Sequence, residues 1–402
     1  MTLKHSRCKI YLMAYNIPMA IGVYVHIPYC VTKCPYCDFN SYGVGERFPE
    51  LEYTESVLRE LEFYRSELKG AALCSIFFGG GTPSLFDAGN IVRIISRIKE
   101  FSAPSPDLEI TVEVNPKTAD LEKLRSLRRA GVNRLSFGVQ SFSERKLKFL
   151  GRINSPEDSR SILEDAKRAG FENFNLDLMY GTRDETLSEW ERDLKEAVTF
   201  DSAHISAYCL TVEDGTLFGT LYKRGKLELP DEEQLSGLIS FTTKYLRDRG
   251  YGQYEISNYS KPGFECRHNM LYWNGDNYLG LGAGAHSHLR AAGSLWGVRA
   301  GNIRNPGLYM KSVREGAKPI DFREELERHE ALHDRVLMGL RLNKGLHINS
   351  LIEDYDVSPK DDKLGYLVDG GLLEIKEGSV RLTERGNLLS NSVIERFIDC
   401  LT

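Results

Sequence analysis

Gly22-Val23-Tyr24-Val25-His26-Ile27-Pro28-Tyr29-Cys30-Val31-Thr32-Lys33-Cys34-Pro35-Tyr36-Cys37 decides how the chain is read. Gly22–Ile27 is apolar and β-branched, the pattern of a buried strand. It runs directly into a C-x3-C-x2-C cluster, Cys30, Cys34 and Cys37. The chain has only 8 cysteines in 402 residues, too few for a disulfide scaffold. Three of them this close point to a metal or redox site in a reducing compartment. Thiolates are the preferred ligands of soft metal centres. A four-iron cluster held by three protein thiolates keeps one iron open to a small ligand, which gives the absent fourth cysteine a chemical meaning. A structural zinc site asks for four ligands in paired knuckles. No second Cys or His pair stands at knuckle spacing nearby, although Asp38 or His26 would complete such a site.

Working outward, the strand at Gly22–Ile27 is the first of six. The others are expected at Ser75–Phe78, Glu109–Val114, Arg134–Val139, Asn173–Met179 and His204–Leu210. Amphipathic stretches lie between them, near 50–69, 88–101, 119–130, 156–169, 185–199 and 231–249. Leu121, Leu124 and Leu127 recur at helical spacing among Lys123, Arg125 and Arg128. Strands that alternate with helices imply a parallel sheet, because parallel neighbours need a crossover. The fold class is α/β, and the six units predict a partial (β/α)6 TIM-like barrel. Several strands end in glycine or polar residues: Gly79-Gly80-Gly81-Thr82-Pro83, Glu113-Val114-Asn115-Pro116, Gln140 and Asp177. In barrels of this kind the C-terminal strand ends carry the site. Asp177, inside an otherwise apolar run, needs a partner to be buried.

Composition sets limits. With 41% hydrophobic and 27% charged residues and a net charge of -5, general disorder is excluded. The balance also argues against a dedicated nucleic-acid binder, which carries a basic surplus. From Ile10 to Thr32 there is no Asp, Glu, Lys or Arg, a run long enough to cross a bilayer. Asn16, Pro18, His26 and Pro28 interrupt it, and its end enters the cysteine cluster, so neither a membrane span nor a signal peptide is expected. Residues 1–20 read as an N-terminal extension, with Met19 an alternative start and 1–18 an over-long translation or a mobile arm. The barrel is expected over 21–250 and a connector over 251–320.

Within that connector, Gly280–Ala285 formally fits G-x-G-x-x-A, but His286-Ser287-His288 follows in place of an evident helix. The expectation is a tightly packed connection, not a dinucleotide site. Residues 321–402 read as a small mostly helical unit: helices at 324–341, 347–354 and 359–369, a hairpin of Leu372–Ile375 with Val380–Leu382, and a final helix. This is a winged-helix-like order. Its acidic residues (Glu324, Glu325, Glu327, Glu353, Asp354) favour packing or partner docking over DNA.

At the cysteine cluster the chain resembles the radical S-adenosylmethionine (SAM) family. That resemblance implies a [4Fe-4S] cluster whose open iron chelates SAM, with the glycine loop at Gly79–Thr82 meeting the methionine moiety. Within the family the chain resembles the oxygen-independent coproporphyrinogen III oxidase group and its haem-chaperone branch, the HemW type. The resemblance runs from about residue 21 to the C-terminus. It rests on Tyr24–Pro28, Gly79–Pro83, Glu113–Pro116, Gly138-Val139-Gln140-Ser141-Phe142, Gly151-Arg152 and Asn175–Gly181. It implies that Tyr24, Gly80, Glu113, Gln140, Arg152 and Asp177 meet a SAM. Gly81, Thr82 and Tyr36 match positions where the oxidases hold a second.

Two departures separate the branches. The oxidases carry a further cysteine two residues after the third, where this chain has Phe39. Second, His268-Asn269-Met270-Leu271-Tyr272-Trp273 fits H-N-x-x-Y-W, a mark of the chaperone branch. His268 offers an imidazole to haem iron, and Asn269, Tyr272 and Trp273 stand with it, the two aromatics able to stack on a porphyrin. On chemistry alone the stretch also suits a packed junction between barrel and C-terminal unit, and Cys266 is a competing ligand. The resemblance implies a cytoplasmic haem chaperone, with a peripheral place at the membrane. Its implied partners are haem, haem-requiring respiratory enzymes and a second copy of the chain. The competing expectation is a coproporphyrinogen III dehydrogenase acting through a deoxyadenosyl radical.

Overall fold

A computed structural model describes residues 20–45, 47–290 and 294–401. The expected extension at residues 1–19 lies outside these. Six strands form the parallel heart of one sheet: β1 (Ala20–Ile27), β2 (Ala72–Gly80), β3 (Ala103–Val114), β4 (Arg134–Gln140), β5 (Phe174–Tyr180) and β6 (His204–Cys209). Each lies where the sequence places it. β1 is buried along most of its length on both faces, as a strand covered by helices on one side and filling a barrel on the other must be. β1 and β6 do not pair with each other, so the barrel is open.

The crossover helices owe their positions to local chemistry. α1 is Glu50–Glu62, α2 Ala88–Phe101, α3 Leu121–Arg129, α4 Pro156–Arg168, α5 Leu187–Thr199 and α6 Glu232–Arg247. α2 buries Ile91, Ile94, Ile95 and Ile98, one stripe at helical period. Capping boxes start three of them: Ser155 with Asp158, Thr186 with Glu189, and Asp231 with Gln234. The expected 50–69 helix ends earlier, because a separate turn at Arg65–Leu68 follows α1.

Beyond residue 250 the chain returns to the sheet. β7 (Gly252–Gln253) and β8 (Asn258–Ser260) extend it beside β6. After α7 (Arg267–Asn274), β9 (Asn277–Leu281) pairs parallel with β1, Tyr24 opposite Gly280. β10 (His286–Leu289), β11 (Val298–Asn302) and β12 (Ile320–Glu325) then add antiparallel strands. Gly282–Gly284 is the turn between β9 and β10. Gly282 has φ of 98°, and a Cβ there would lie 2.5 Å from the His26 carbonyl. A strand follows the glycines, so the packed connection holds. The helix expected from 324 begins instead at Arg328, because Val298 of β11 captures Glu325 in the sheet.

α8 (Pro306–Arg314) closes this edge against α1. The clasp is Glu60, a fully buried carboxylate. It accepts hydrogen bonds from Gly282 N at 2.8 Å, Asn302 Nδ2 at 2.6 Å and Tyr309 OH at 2.6 Å. Burial pushes its pKa up to about 7, opposed by these donors.

The C-terminal unit has its own core, in which Leu332, Val336, Leu351, Val380 and Phe397 meet. Its elements are α9 (Arg328–Gly339), β13 (Leu346–His347), α10 (Ile348–Tyr355), α11 (Asp361–Asp369), β14 (Leu373–Lys376), β15 (Ser379–Leu382) and α12 (Ser390–Leu401). The three strands order β13-β15-β14. Positive φ at Glu377 and Gly378 makes the tight hairpin turn. Among the described residues no helix is long and apolar enough to cross a membrane.

Glu60→Ala orphans three buried donors at once. It is expected to lower the unfolding free energy by on the order of 3–5 kcal/mol. Denaturant unfolding checks this, and a loss under about 1 kcal/mol would show that the clasp carries no stability.

Candidate functional site

The C-terminal ends of β1 to β6 surround a cavity of about 570 Å3. Cys30, Cys34 and Cys37 line it, as do all nine side chains or glycines that the sequence reading assigns to SAM. The cysteine loop is fixed on both sides. On one, Gly81 N donates to Ile27 O at 2.7 Å and Thr82 N to Tyr29 O at 2.8 Å. A Cβ at Gly81 would sit 2.7 Å from the Tyr29 carbonyl, so only glycine lets the two backbones approach. The Thr82 hydroxyl points at Cys30 Sγ, 3.4 Å away.

On the other side stands Gly151-Arg152. Arg152 Nη2 donates to Gly138 O at 2.7 Å, Nε reaches Asn154 Oδ1 at 3.2 Å, and Nη1 lies 3.8 Å from Cys34 Sγ. A Cβ at Gly151 would meet the Pro35 ring at 2.5 Å. Arg152 therefore braces the cysteine loop as well as facing the cavity. Tyr36 lies beside it, and burial raises its phenol well above the usual range.

The floor is acidic and buried. Glu113 Oε2 accepts from Gly80 N at 3.1 Å. Asp177 accepts from Asn175 Nδ2 at 2.8 Å and Ser136 Oγ at 3.2 Å. Burial, then the charge of Asp177, pushes Glu113 up to about 8. Burial also raises Asp177, against its hydrogen bonds to Asn175 and Ser206. Gln140 completes this rim in a left-handed backbone, φ 65°, an arrangement that costs a non-glycine residue energy. It is held there by its neighbours: Asp193 of α5 accepts from Ser141 Oγ at 2.6 Å and Phe142 N at 2.8 Å, and Lys146 Nζ lies 3.0 Å from the same carboxylate.

Arg134, Asn175, His204, Ser206 and Tyr208 also face this cavity and were not singled out from sequence. Their signal is period-2 polarity on β4 to β6: Arg134, Ser136, Gly138 and Gln140, then Asn175 and Asp177, then His204, Ser206 and Tyr208. A lumen lined in this way is built for a polar guest.

The H-N-x-x-Y-W stretch forms α7. His268 is 1% exposed. Its Nδ1 bonds Ser75 Oγ at 2.8 Å and its Nε2 bonds Tyr272 OH at 2.8 Å. Its ring stacks on Phe77 and Tyr24. Burial drops its pKa to about 3. As held, both ring nitrogens of His268 are engaged, one by Ser75 and one by Tyr272. His268, Asn269 and Tyr272 line the cluster-side cavity, and Tyr272 and Trp273 line the one adjoining it. Cys266, fully buried against Glu109, is remote from ligand duty in the same way.

The donor set can be tested against a cluster. Cys30, Cys34 and Cys37 are free thiols and partly exposed. Burial raises Cys30 and Cys37, so metal binding would have to drive their deprotonation. Among the described residues no three His, Cys, Asp or Glu side chains converge on one point, as the ligands of a single ion do. A cubane spreads its thiolates over separate irons, and three sulfurs on one loop around a roomy cavity fit that demand.

A pH test follows from Glu113. Its folded pKa, about 8, stands above its ordinary 4.5. Its contribution to stability is therefore full below pH 4.5 and is lost as pH rises through 8. In the absence of cofactors, Glu113→Gln is expected to flatten the fall in melting temperature between roughly pH 5 and pH 9. An unchanged slope would mean that Glu113 is already ionised in the folded chain.

The Radical SAM superfamily model matches residues 24–197, and the HemN C-terminal domain model matches residues 326–389. The heme chaperone HemW of Bacillus subtilis (strain 168) is 36% identical over 381 residues, covering 94% of this chain and 99% of that protein. HemW of Escherichia coli (strain K12) is 36% identical over 386 residues, covering 94% and 98%. Among solved structures, the coproporphyrinogen III oxidase HemN of Escherichia coli superposes with a TM-score of 0.80 at 24% identity, over 94% of this chain and 90% of that one. At that identity the likeness speaks for the fold alone. A radical SAM domain carries with it a [4Fe-4S] cluster and SAM, which the three-thiol loop and polar lumen fit. Strand order, cysteine loop and near full-length identity agree: the chain belongs to the HemW heme-chaperone family of the radical SAM superfamily.

Proposed function

We propose that this chain is a haem carrier: it binds haem beside a [4Fe-4S] and SAM site and hands it to haem-requiring acceptors, respiratory membrane enzymes among them. The observation that carries the reading is the pair of adjoining cavities. The cluster-side cavity shares Tyr24, Phe39, Gly80, Glu113 and Tyr272 with a second cavity of about 680 Å3. That volume falls within the roughly 300–1,000 Å3 of ordinary cofactor pockets. Phe39, 59% exposed, stands between them where the oxidases have a thiol. A phenyl ring moves neither protons nor hydrogen atoms, which supports carriage over porphyrinogen decarboxylation.

When bound, the cluster and SAM would supply one-electron chemistry or a structural redox sensor. Cys30, Cys34 and Cys37 would hold the cluster. Tyr24, Gly80, Glu113, Gln140, Arg152 and Asp177 would hold SAM, with Tyr36, Gly81 and Thr82 at its rim. Glu113 and Asp177 suit an ammonium and ribose hydroxyls, and Arg152 a carboxylate. His268 keeps Tyr272 in place for the tetrapyrrole, and Asn269 and Trp273 flank it. In this reading the chain works as residues 21–250 for cluster and nucleotide, 251–320 as the wall carrying α7, and 321–402 as a cover, without nucleic acid. The cytoplasm, a peripheral place at the membrane and a homodimer belong to the same proposal.

Two experiments test it. Oxygen-free reconstituted protein given coproporphyrinogen III, dithionite and SAM is expected to form no protoporphyrinogen, while haem titration gives a saturable Soret band. Catalytic product with no haem binding would reverse the assignment. Cys34→Ala is expected to abolish the cluster's brown absorption and its reduced-state paramagnetic signal. An unchanged signal would remove Cys34 from the ligand set.

A further inference from the structure

The larger cavity lies between the sheet edge and the C-terminal unit. One wall is a row across three strands: Tyr278 of β9 opposite His288 of β10, opposite Arg299 of β11. Residues alternate along a strand, so His286, His288 and Arg290 turn the same way. The facing wall is α9, which brings Arg335 and Met338, and α10, which brings Tyr355. Trp296 stacks on Tyr355, ring centroids 5.3 Å apart. Tyr272 meets Tyr278 edge to face at 4.5 Å. The lining is thus broad and aromatic in the middle.

Its charge is mostly positive: Arg290, Arg299, Arg304 and Arg335 line it against Glu113 and Asp334. Arg299 is paired, with Asp334 at 2.9 Å and Glu324 at 3.3 Å. Arg290 and Arg335 are not: among the described residues neither has a carboxylate within ion-pair distance, and Asp276 and Asp354 act on Arg335 only from farther off. Arg335 reaches only the Trp273 carbonyl, at 3.3 Å. The two arginines flank Gly275 together, Arg290 Nη2 and Arg335 Cδ both within 3.9 Å of where its Cβ would be. Two unneutralised guanidinium groups side by side at the end of an aromatic slot repel each other unless an anion joins them. Two further donors on this lining, Trp273 Nε1 and Arg299 Nε, are buried without a partner. An aromatic slot with paired cations at one end is the complement of a flat apolar ring bearing carboxylates along one edge.

We infer that this junction cavity is the tetrapyrrole seat, with Arg290 and Arg335 holding the propionate edge and the ring lying among Tyr272, Tyr278, Trp296 and Tyr355. The inference rests on the haem-carrier reading and adds to it the place and the anchoring groups. It moves the anchoring away from His268, whose nitrogens are engaged, to a pair of arginines that nothing in the motif announces. Each guanidinium can fork onto a carboxylate in a way that lysine cannot.

The test uses the full chain, with haemin and its dimethyl ester as probes. Arg290→Ala/Arg335→Ala is expected to weaken haemin binding by roughly tenfold or more, since hydrogen bonds to charged groups are the strong ones. The diester, which has no free carboxylates, should bind parent and variant alike. Arg290→Glu, at an exposed position, is expected to weaken haemin in the same direction and keeps the test alive should the double variant not fold. Folded variants that bind haemin as the parent does would overturn the site and leave the carrier reading standing. So would an equal loss of haemin and diester. A parent chain that binds neither probe would overturn the carrier reading and this site together.

Discussion

Charge buried inside the open barrel is the constraint on which the rest depends. Glu113 and Asp177 sit under a shell of apolar strands, with the Arg134 guanidinium near both. Burying ions is costly unless partners are fixed in advance. The chain meets that demand with oriented groups: Gly80 N on Glu113, Asn175 and Ser136 on Asp177. Burial nonetheless pushes both carboxyls towards their neutral forms. A cationic guest such as a sulfonium nucleotide with its ammonium would favour their ionised forms.

Much of this was legible in the sequence, and the reasons are local. β1 and β2 are largely apolar runs, β4 to β6 alternate apolar with polar residues, and α2 to α6 carry side-chain caps, so both periods stood out. The three cysteines, Glu113 and Asp177 break strong patterns and drew notice. What was not legible depends on partners distant in the chain. β9 joins β1 across more than half the sequence, and nothing near Asn277 announces it. Lys146, in Arg145-Lys146-Leu147-Lys148, is 2% exposed and bound to Glu185 and Asp193, partners some forty residues away. Gln140 is an ordinary strand end until Asp193 pins the residues after it. For His268 the sequence left a haem ligand and a packed junction both open, because its two partners, Ser75 and Tyr272, are visible only in three dimensions.

The two cavities share a wall. Tyr24 stacks on His268 and Phe77, and its hydroxyl donates to His26 Nδ1 at 3.0 Å, while His26 Nε2 donates to the Asn40 carbonyl at 2.8 Å. Asn40 in turn donates to Ala283 O and Arg304 O. A chain of hydrogen bonds thus runs from the lumen to the loop after β9, beside the larger cavity. Phe39, next to Asn40 and close behind Cys37, borders both spaces.

A carrier must also let go, and the placement of the larger cavity bears on that. A site sunk in one continuous core opens only if the core does. This cavity is bounded by two cores, the barrel's and the C-terminal unit's, each complete without the other. At this cavity α9 is joined to the barrel side by the Asp334–Arg299 ion pair and by Arg335 on the Trp273 carbonyl. If the propionate edge is what Arg290 and Arg335 hold, the grip comes from charge at the mouth and aromatic contact along the ring. Charge at a mouth is screened by salt and contested by other cations, so an acceptor with basic groups of its own could compete for the same carboxylates. Retention and release would then be set by the same two arginines, and a strong bond from a buried histidine to iron would work against the second of those tasks.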